Sequence, residues 1–177
     1  MTTGHIFMAM SLDGFIARED YTLDWLMKQN TDGEDHGYND FVADMDGIIM
    51  GSGSFKTILT FENWPYEKPV IVMSHSLSQA DVPAELREKV RISGLDPKAL
   101  FASLEKEGWQ RAYVDGGQII QSFIKAGLIK DMTITLVPIL IGEGRRLFGK
   151  TDRDIDLELA STKSFASGLV QTQYNIE

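Results

Sequence analysis

Continuous apolar runs separated by polar, glycine-rich turns recur along the first two-thirds of this chain. Ile6-Phe7-Met8-Ala9-Met10, Gly47-Ile48-Ile49-Met50, Val70-Ile71-Val72-Met73 and Ala112-Tyr113-Val114 are unbroken rather than alternating, as strands covered on both faces require. Helical patterns lie between them. Asp96-Pro97 supplies an N-cap followed by proline at the first helical position; Leu100, Phe101 and Leu104 form one face, and Gly108 closes the helix. A second helix carries Ile119, Ile120, Phe123 and Ile124 on one side and stops at Gly127. Strand–helix–strand order with these lengths predicts parallel strands joined by right-handed crossovers.

The last third has a different period. Met132 to Ile141 is β-rich and broken around Pro138; Ile155, Leu157 and Leu159 then alternate with Asp154, Asp156 and Glu158. Val170, Thr172, Tyr174 and Ile176 alternate with Gln171, Gln173 and Asn175, as half-exposed strands do, and Ala166-Ser167-Gly168 reads as a hairpin turn. The expected fold is α/β, with a mixed, mainly parallel sheet and an antiparallel C-terminal edge. With no repeat, linker or low-complexity tract in view, residues 1–177 read as one domain.

Composition narrows the function classes. The chain has 177 residues, 17 of them basic and 26 acidic, for a formal net charge of −9. At this length folding buries roughly 70% of the unfolded chain's surface, so a core forms without staples. An acidic chain lacks the clustered Lys and Arg that neutralise phosphate, so nucleic acid is not an expected partner. The absence of Cys removes disulfides and thiolate metal sites and is compatible with a reducing compartment. No apolar run approaches the roughly 20 residues that span a bilayer, and Met1-Thr2-Thr3-Gly4-His5 shows no secretory pattern. The expectation is a cytoplasmic protein without a membrane partner.

Several motif matches fail on context. Gly144-Arg145-Arg146-Leu147-Phe148-Gly149-Lys150-Thr151 fits the P-loop spacing, but that loop needs a helix beginning at its Lys. Here a period-two run follows, and Asp152, Asp154 and Asp156 would oppose a phosphate. The same aspartates lack the glycine of a calcium-binding loop, and His5, His36 and His75 are scattered, so no metal is expected. Three clusters of small residues at strand ends remain: Gly51-Ser52-Gly53-Ser54, Asp115-Gly116-Gly117-Gln118 and Ser74-His75-Ser76. In open α/β sheets ligands bind outside the carboxyl ends of the strands, where glycine admits phosphate to backbone amides. Each cluster taken singly reads as a tight turn. Three in register point to a dinucleotide site.

Met10-Ser11-Leu12-Asp13-Gly14-Phe15-Ile16-Ala17, Met50-Gly51, Asp115-Gly116-Gly117, Val137-Pro138-Ile139-Leu140-Ile141-Gly142-Glu143-Gly144 and Leu147-Phe148 follow the order found in dihydrofolate-reductase-like proteins. Over essentially its whole length the chain resembles bacterial proteins related to the C-terminal reductase domain of the riboflavin-biosynthesis enzyme. The resemblance implies a three-layer sandwich around an eight-stranded sheet, often assembled as a homodimer. It implies an NADPH-dependent reductase of a pterin- or pyrimidine-type heterocycle, with direct hydride transfer and neither metal nor flavin. Ala9 and Ile16 would flank the nicotinamide under a loop running from Ser11 to Ala17. Gly51, Ser52, Gly53 and Ser54 would hold phosphates, and Ser74, His75 and Ser76 would line the adenosine side. Gly116, Gly117 and the amides of Gln118 and Ile119 would contact the pyrophosphate, across a Gly–Gly bond that is cis in dihydrofolate reductases.

The chain departs from the family's pattern at the usual Arg after Met-Gly, which is Ser52 here. Lys56, one helical turn on, offers a point charge but no bidentate fork, so NADH stands beside NADPH as a cofactor. Asp13 matches the loop aspartate that faces substrate in the riboflavin-type reductases and is the candidate catalytic residue; before Gly14 it also reads as a turn former. Trp25 reads as a cap on the substrate pocket or as a core anchor. The adjacent cations Arg145 and Arg146 read as holding a substrate phosphate or as a solvated loop. Several acids between Glu34 and Asp44 are available as proton donors. A second functional reading keeps the fold as a nucleotide-binding protein without catalysis.

Overall fold

In β3 (Gly47–Gly51), Ile48, Ile49 and Met50 are all at 0% exposure, and their side chains alternate between two cores. Ile49 packs into one, Ile48 and Met50 into the other. The computed structural model, which describes residues 1–177, places this strand within a sheet of eight. β1 (Thr3–Ser11), β3, β4 (Val70–Met73), β5 (Val90–Ser93), β6 (Arg111–Val114) and β7 (Ile129–Val137) are parallel. β9 (Leu157–Ser164) and β10 (Val170–Ile176) complete an antiparallel edge, and the spatial order is β5-β4-β3-β6-β1-β7-β10-β9. A separate two-stranded ribbon joins β2 (Phe15–Ala17) to β8 (Arg145–Arg146).

Helices cover both faces, which makes the three layers. On one side α4 (Pro97–Lys106) and α5 (Gly117–Lys125) bring Leu100, Phe101, Leu104, Ile120 and Phe123 onto the sheet, with Phe101 and Phe123 edge to face at 4.9 Å. On the other, α2 (Tyr38–Ala43) and α3 (Ser52–Ile58) contribute Phe41, Phe55 and Ile58. A short α1 (Asp24–Met27) fixes Trp25 against Val137 and Leu169 in a third, smaller cluster. No helix is long and apolar enough to cross a membrane.

The local signals act as their chemistry demands. The Asp96 carboxylate accepts from the Ala99 amide at 2.9 Å to start α4, and Gly108 ends it at φ 92. β7 stops at Val137 because Pro138 has no amide hydrogen to continue the ladder. β9 differs from the half-exposed strand the alternation suggests: it begins at Leu157, and all eight of its residues are exposed. As the outermost strand it projects past the helices, so neither of its faces has a layer to pack on. The irregular segment after Lys150 carries no helix.

Candidate active site

The carboxyl ends of β3 and β6 and the start of α5 open into a cavity of about 550 Å³, within the roughly 300–1,000 Å³ span of small-molecule sites. Its floor is close-packed backbone. A Cβ added at Gly116 would lie 2.7 Å from Ser54 Oγ, and one at Gly117 would lie 2.5 Å from the Arg146 carbonyl oxygen. These glycines therefore let two strand–helix turns and β8 converge. Every peptide bond is trans, so the cis Gly116–Gly117 bond implied by resemblance is absent; Gly116 turns the chain with φ 89 instead.

The β2–β8 ribbon forms one wall, and Asp13 holds it in place. The Asp13 carboxylate accepts from Ser11 Oγ at 2.6 Å, from the Ile141 amide at 3.1 Å and from the Gly142 amide at 2.8 Å. The Ser11 hydroxyl first, then these amides, hold the Asp13 carboxyl below its ordinary range. Asp13 lies outside the cavity lining. Its lone pairs are committed to cross-linking two loops and it stays ionised, so the expectation of a catalytic Asp13 gives way to a structural one.

Of the other expected residues, Ile16, Gly51, Ser52, Gly53, Ser54, Gly116, Gly117, Gln118, Ile119, Arg145 and Arg146 all line the cavity. Ala9 does not: its neighbour Met8 faces the cavity, and Ala9 packs toward Trp25 on the other face of β1. Trp25 is fully buried, its indole N–H without a partner, and it anchors the core rather than capping a pocket. Ser74, His75 and Ser76 sit at the same end of the sheet but outside the lining. There the Ser74 hydroxyl accepts from the amides of Ser76 and Leu77, closing a turn. No three His, Asp or Glu side chains converge as metal ligands.

Asp115 is the site residue that sequence reasoning missed. Its amide donates to the Ile49 carbonyl at 2.8 Å, which fixes the strand end, and its side chain is enclosed beside the Tyr113 hydroxyl, 3.4 Å away. Burial pushes its carboxyl up to about 6, even though the Gly116 amide, the Ser54 hydroxyl and Tyr113 all favour the ionised form. Its charge, together with burial, raises the phenols around it. Tyr38 is pushed up to about 12, and Tyr66 and Tyr113 rise as well, burial being the larger cause in each. A carboxyl that takes up a proton near neutrality, on the wall of a cavity, is equipped for acid–base work. In the sequence it was hidden as the first letter of a glycine turn.

The chain matches the family model described as the RibD C-terminal domain over residues 3–171. It belongs to the RibD C-terminal domain family. It is 30% identical over 172 residues to YwjB of Bacillus subtilis (strain 168), named an uncharacterized protein, covering 96% of this chain and 95% of that one. A Shewanella sp. PV-4 structure named for riboflavin biosynthesis superposes with a TM-score of 0.93 at 34% identity, covering 99% of each chain. The bifunctional deaminase/reductase of Thermotoga maritima matches at TM-score 0.75 and 11% identity, covering 99% of this chain and 57% of that one; it shares the fold. The fold of this RibD C-terminal domain protein is thus that of the riboflavin-pathway reductases.

Proposed function

We propose that this chain is a nicotinamide-dependent reductase that acts by direct hydride transfer on a pterin- or pyrimidine-type heterocycle. The observation that carries the reading is the Asp115 carboxyl on the cavity wall, beside glycine turns that expose backbone amides. The residues present fit a dinucleotide: Gly117, Gln118 and Ile119, whose amides begin α5 and so lack intrahelical partners, line the cavity, and glycine at 116 and 117 lets that turn pack against Ser54 and Arg146. A bound cofactor supplies the hydride. The chain's own residues do the rest. Amides at Gly117, Gln118 and Ile119 bind phosphate oxygens; Met8, Ile16 and Ile58 make an apolar wall that excludes water. Asp115 holds a proton for the nitrogen of the C=N bond whose carbon receives the hydride.

NADPH is the expected cofactor, and Ser52 removes the guanidinium that would favour a 2′-phosphate, so NADH is titrated beside it. Quenching of tryptophan fluorescence reads binding, and loss of reduced-nicotinamide absorbance reads turnover with dihydrofolate and with an aminouracil ribosyl phosphate. Oxidation of the cofactor with either substrate supports the reading. Failure of both cofactors to bind at near-millimolar concentration overturns it, and binding without turnover of either substrate favours the catalytically silent alternative. A homodimer is proposed as well, and sedimentation velocity tests it.

A further inference from the structure

We propose that Tyr21 and Arg145 form a preassembled cationic arm that grips the diphosphate of the dinucleotide from across the cavity; the inference rests on the function proposed above. Only four charged side chains line the cavity, Glu19, Asp115, Arg145 and Arg146, so a ligand with several negative charges depends on two arginines. Consecutive residues of a strand point to opposite sides. Arg146 accordingly stacks on the Phe15 ring at 4.5 Å, while Arg145 stacks on the Tyr21 ring at 4.4 Å.

Tyr21 is held in an uncommon conformation to make that stack. It is the one non-glycine residue with positive φ, at 68, a region disfavoured for a bulky side chain. Local bonds enforce it: the Tyr21 amide donates to the Arg18 carbonyl at 3.0 Å, and the Arg18 amide to the Thr22 carbonyl at 3.1 Å. The ring is thereby laid on the glycine turn that follows β3, where a Cβ on Gly53 would sit 2.6 Å from Tyr21 Cε1. Gly53 is what allows this approach.

The guanidinium is oriented as well as supported. Nε and Nη2 donate to the Glu19 carbonyl at 3.2 and 2.8 Å, which leaves the Nη1 edge without a protein partner. The Glu19 carboxylate stands 3.8 Å from Nη2 and is well exposed, so it does not saturate the charge. An aromatic plane behind the guanidinium, two anchoring bonds and one free edge toward a cavity are what anion recognition by Arg requires. Arg145 thus supplies from β8 a positive charge at the diphosphate, separate from the 2′-phosphate position where Ser52 stands. Because the diphosphate is common to both cofactors, the arm does not discriminate between them.

Isothermal titration with NADH and NADPH tests this. Arg145→Gln is expected to weaken both about tenfold and to flatten the salt dependence of binding. Tyr21→Ala is expected to weaken both, and Tyr21→Phe, which keeps the ring, to lose less. Lys98→Gln, an exposed cation on α4, serves as the control with unchanged affinity. Unchanged affinity in Arg145→Gln overturns the proposal, as does a loss confined to NADPH, which would put Arg145 at the 2′-phosphate. If the unmodified protein binds neither cofactor, the functional reading itself falls and takes the arm with it; the two failures are therefore distinct.

Discussion

Replacing Asp115 by Asn tests the central electrostatic argument without any substrate. The carboxyl's ordinary value is 3.8 and burial raises it to about 6. That difference, at about 1.4 kcal/mol for each tenfold, makes charging Asp115 in the folded chain harder by about 3 kcal/mol than in the unfolded one. The sign follows from which form the fold prefers. At a pH below 3.8 the group is neutral in both states and the fold has its full stability; as pH rises through about 6 the folded chain must accept a buried charge, and stability is lost. Asn is neutral throughout, still accepts from Tyr113, and its amide can donate to Ser54. For a chain of this size the Asn variant should gain about 6–12 °C in Tm over the parent between about pH 4 and about pH 8. Scanning calorimetry across that range measures it. An identical Tm difference at both ends, or one of opposite sign, would show that the carboxyl is not buried against its charge.

Three further outcomes follow from contacts on the cavity walls and in the core. Asp13→Ala should lower Tm near neutral pH and speed amide hydrogen exchange at Ile141 and Gly142. Since that carboxyl is held below its ordinary value, the effect should fade as pH falls through the depressed value. Gly117→Ala forces a Cβ to within 2.5 Å of the Arg146 carbonyl, a backbone atom that cannot swing away, and should abolish dinucleotide binding in the titration. Phe123→Ala empties a fully buried position between α5 and α4; urea unfolding should show a loss of about 3–5 kcal/mol.

The layers of this fold were readable in the chain because its signals are local. Unbroken runs such as Val70 to Met73 can only be strands buried on both faces, and Asp96-Pro97 and Gly127 mark helix ends by their own backbone chemistry. β5 escaped notice because Val90-Arg91-Ile92-Ser93 is short and neither unbroken nor well patterned. The β2–β8 ribbon could not be seen, since its pairing joins segments far apart in sequence and its residues carry no strand signature. The site divides along the same line. Glycine turns at strand ends located the cavity, because only glycine lets backbones approach there. The division of labour between carboxylates lay beyond local reading: Asp13 is spent on two amides contributed by a distant loop, and Asp115 is enclosed near Tyr38, Tyr66 and Tyr113, which come from three separate stretches of the chain. Trp25 likewise packs inward because its partners, Val137 and Leu169, arrive from the far end of the chain.

The position of β1 has a consequence for how the chain comes to be folded. It precedes every other strand of this sheet in sequence and sits inside the sheet, yet both of its neighbours, β6 and β7, begin only at Arg111 and Ile129. During synthesis Ile6 to Met10 therefore emerge with bare ladder edges and wait for more than half of the chain before they can pair. Loop closure of that length must be complete before any contact rewards it, so this step belongs late in folding and makes it slow. Until then an apolar strand with two open edges is available to the same strand of a neighbouring nascent chain. The strand on which both halves of the sheet meet is thus among the longest to stay unpaired.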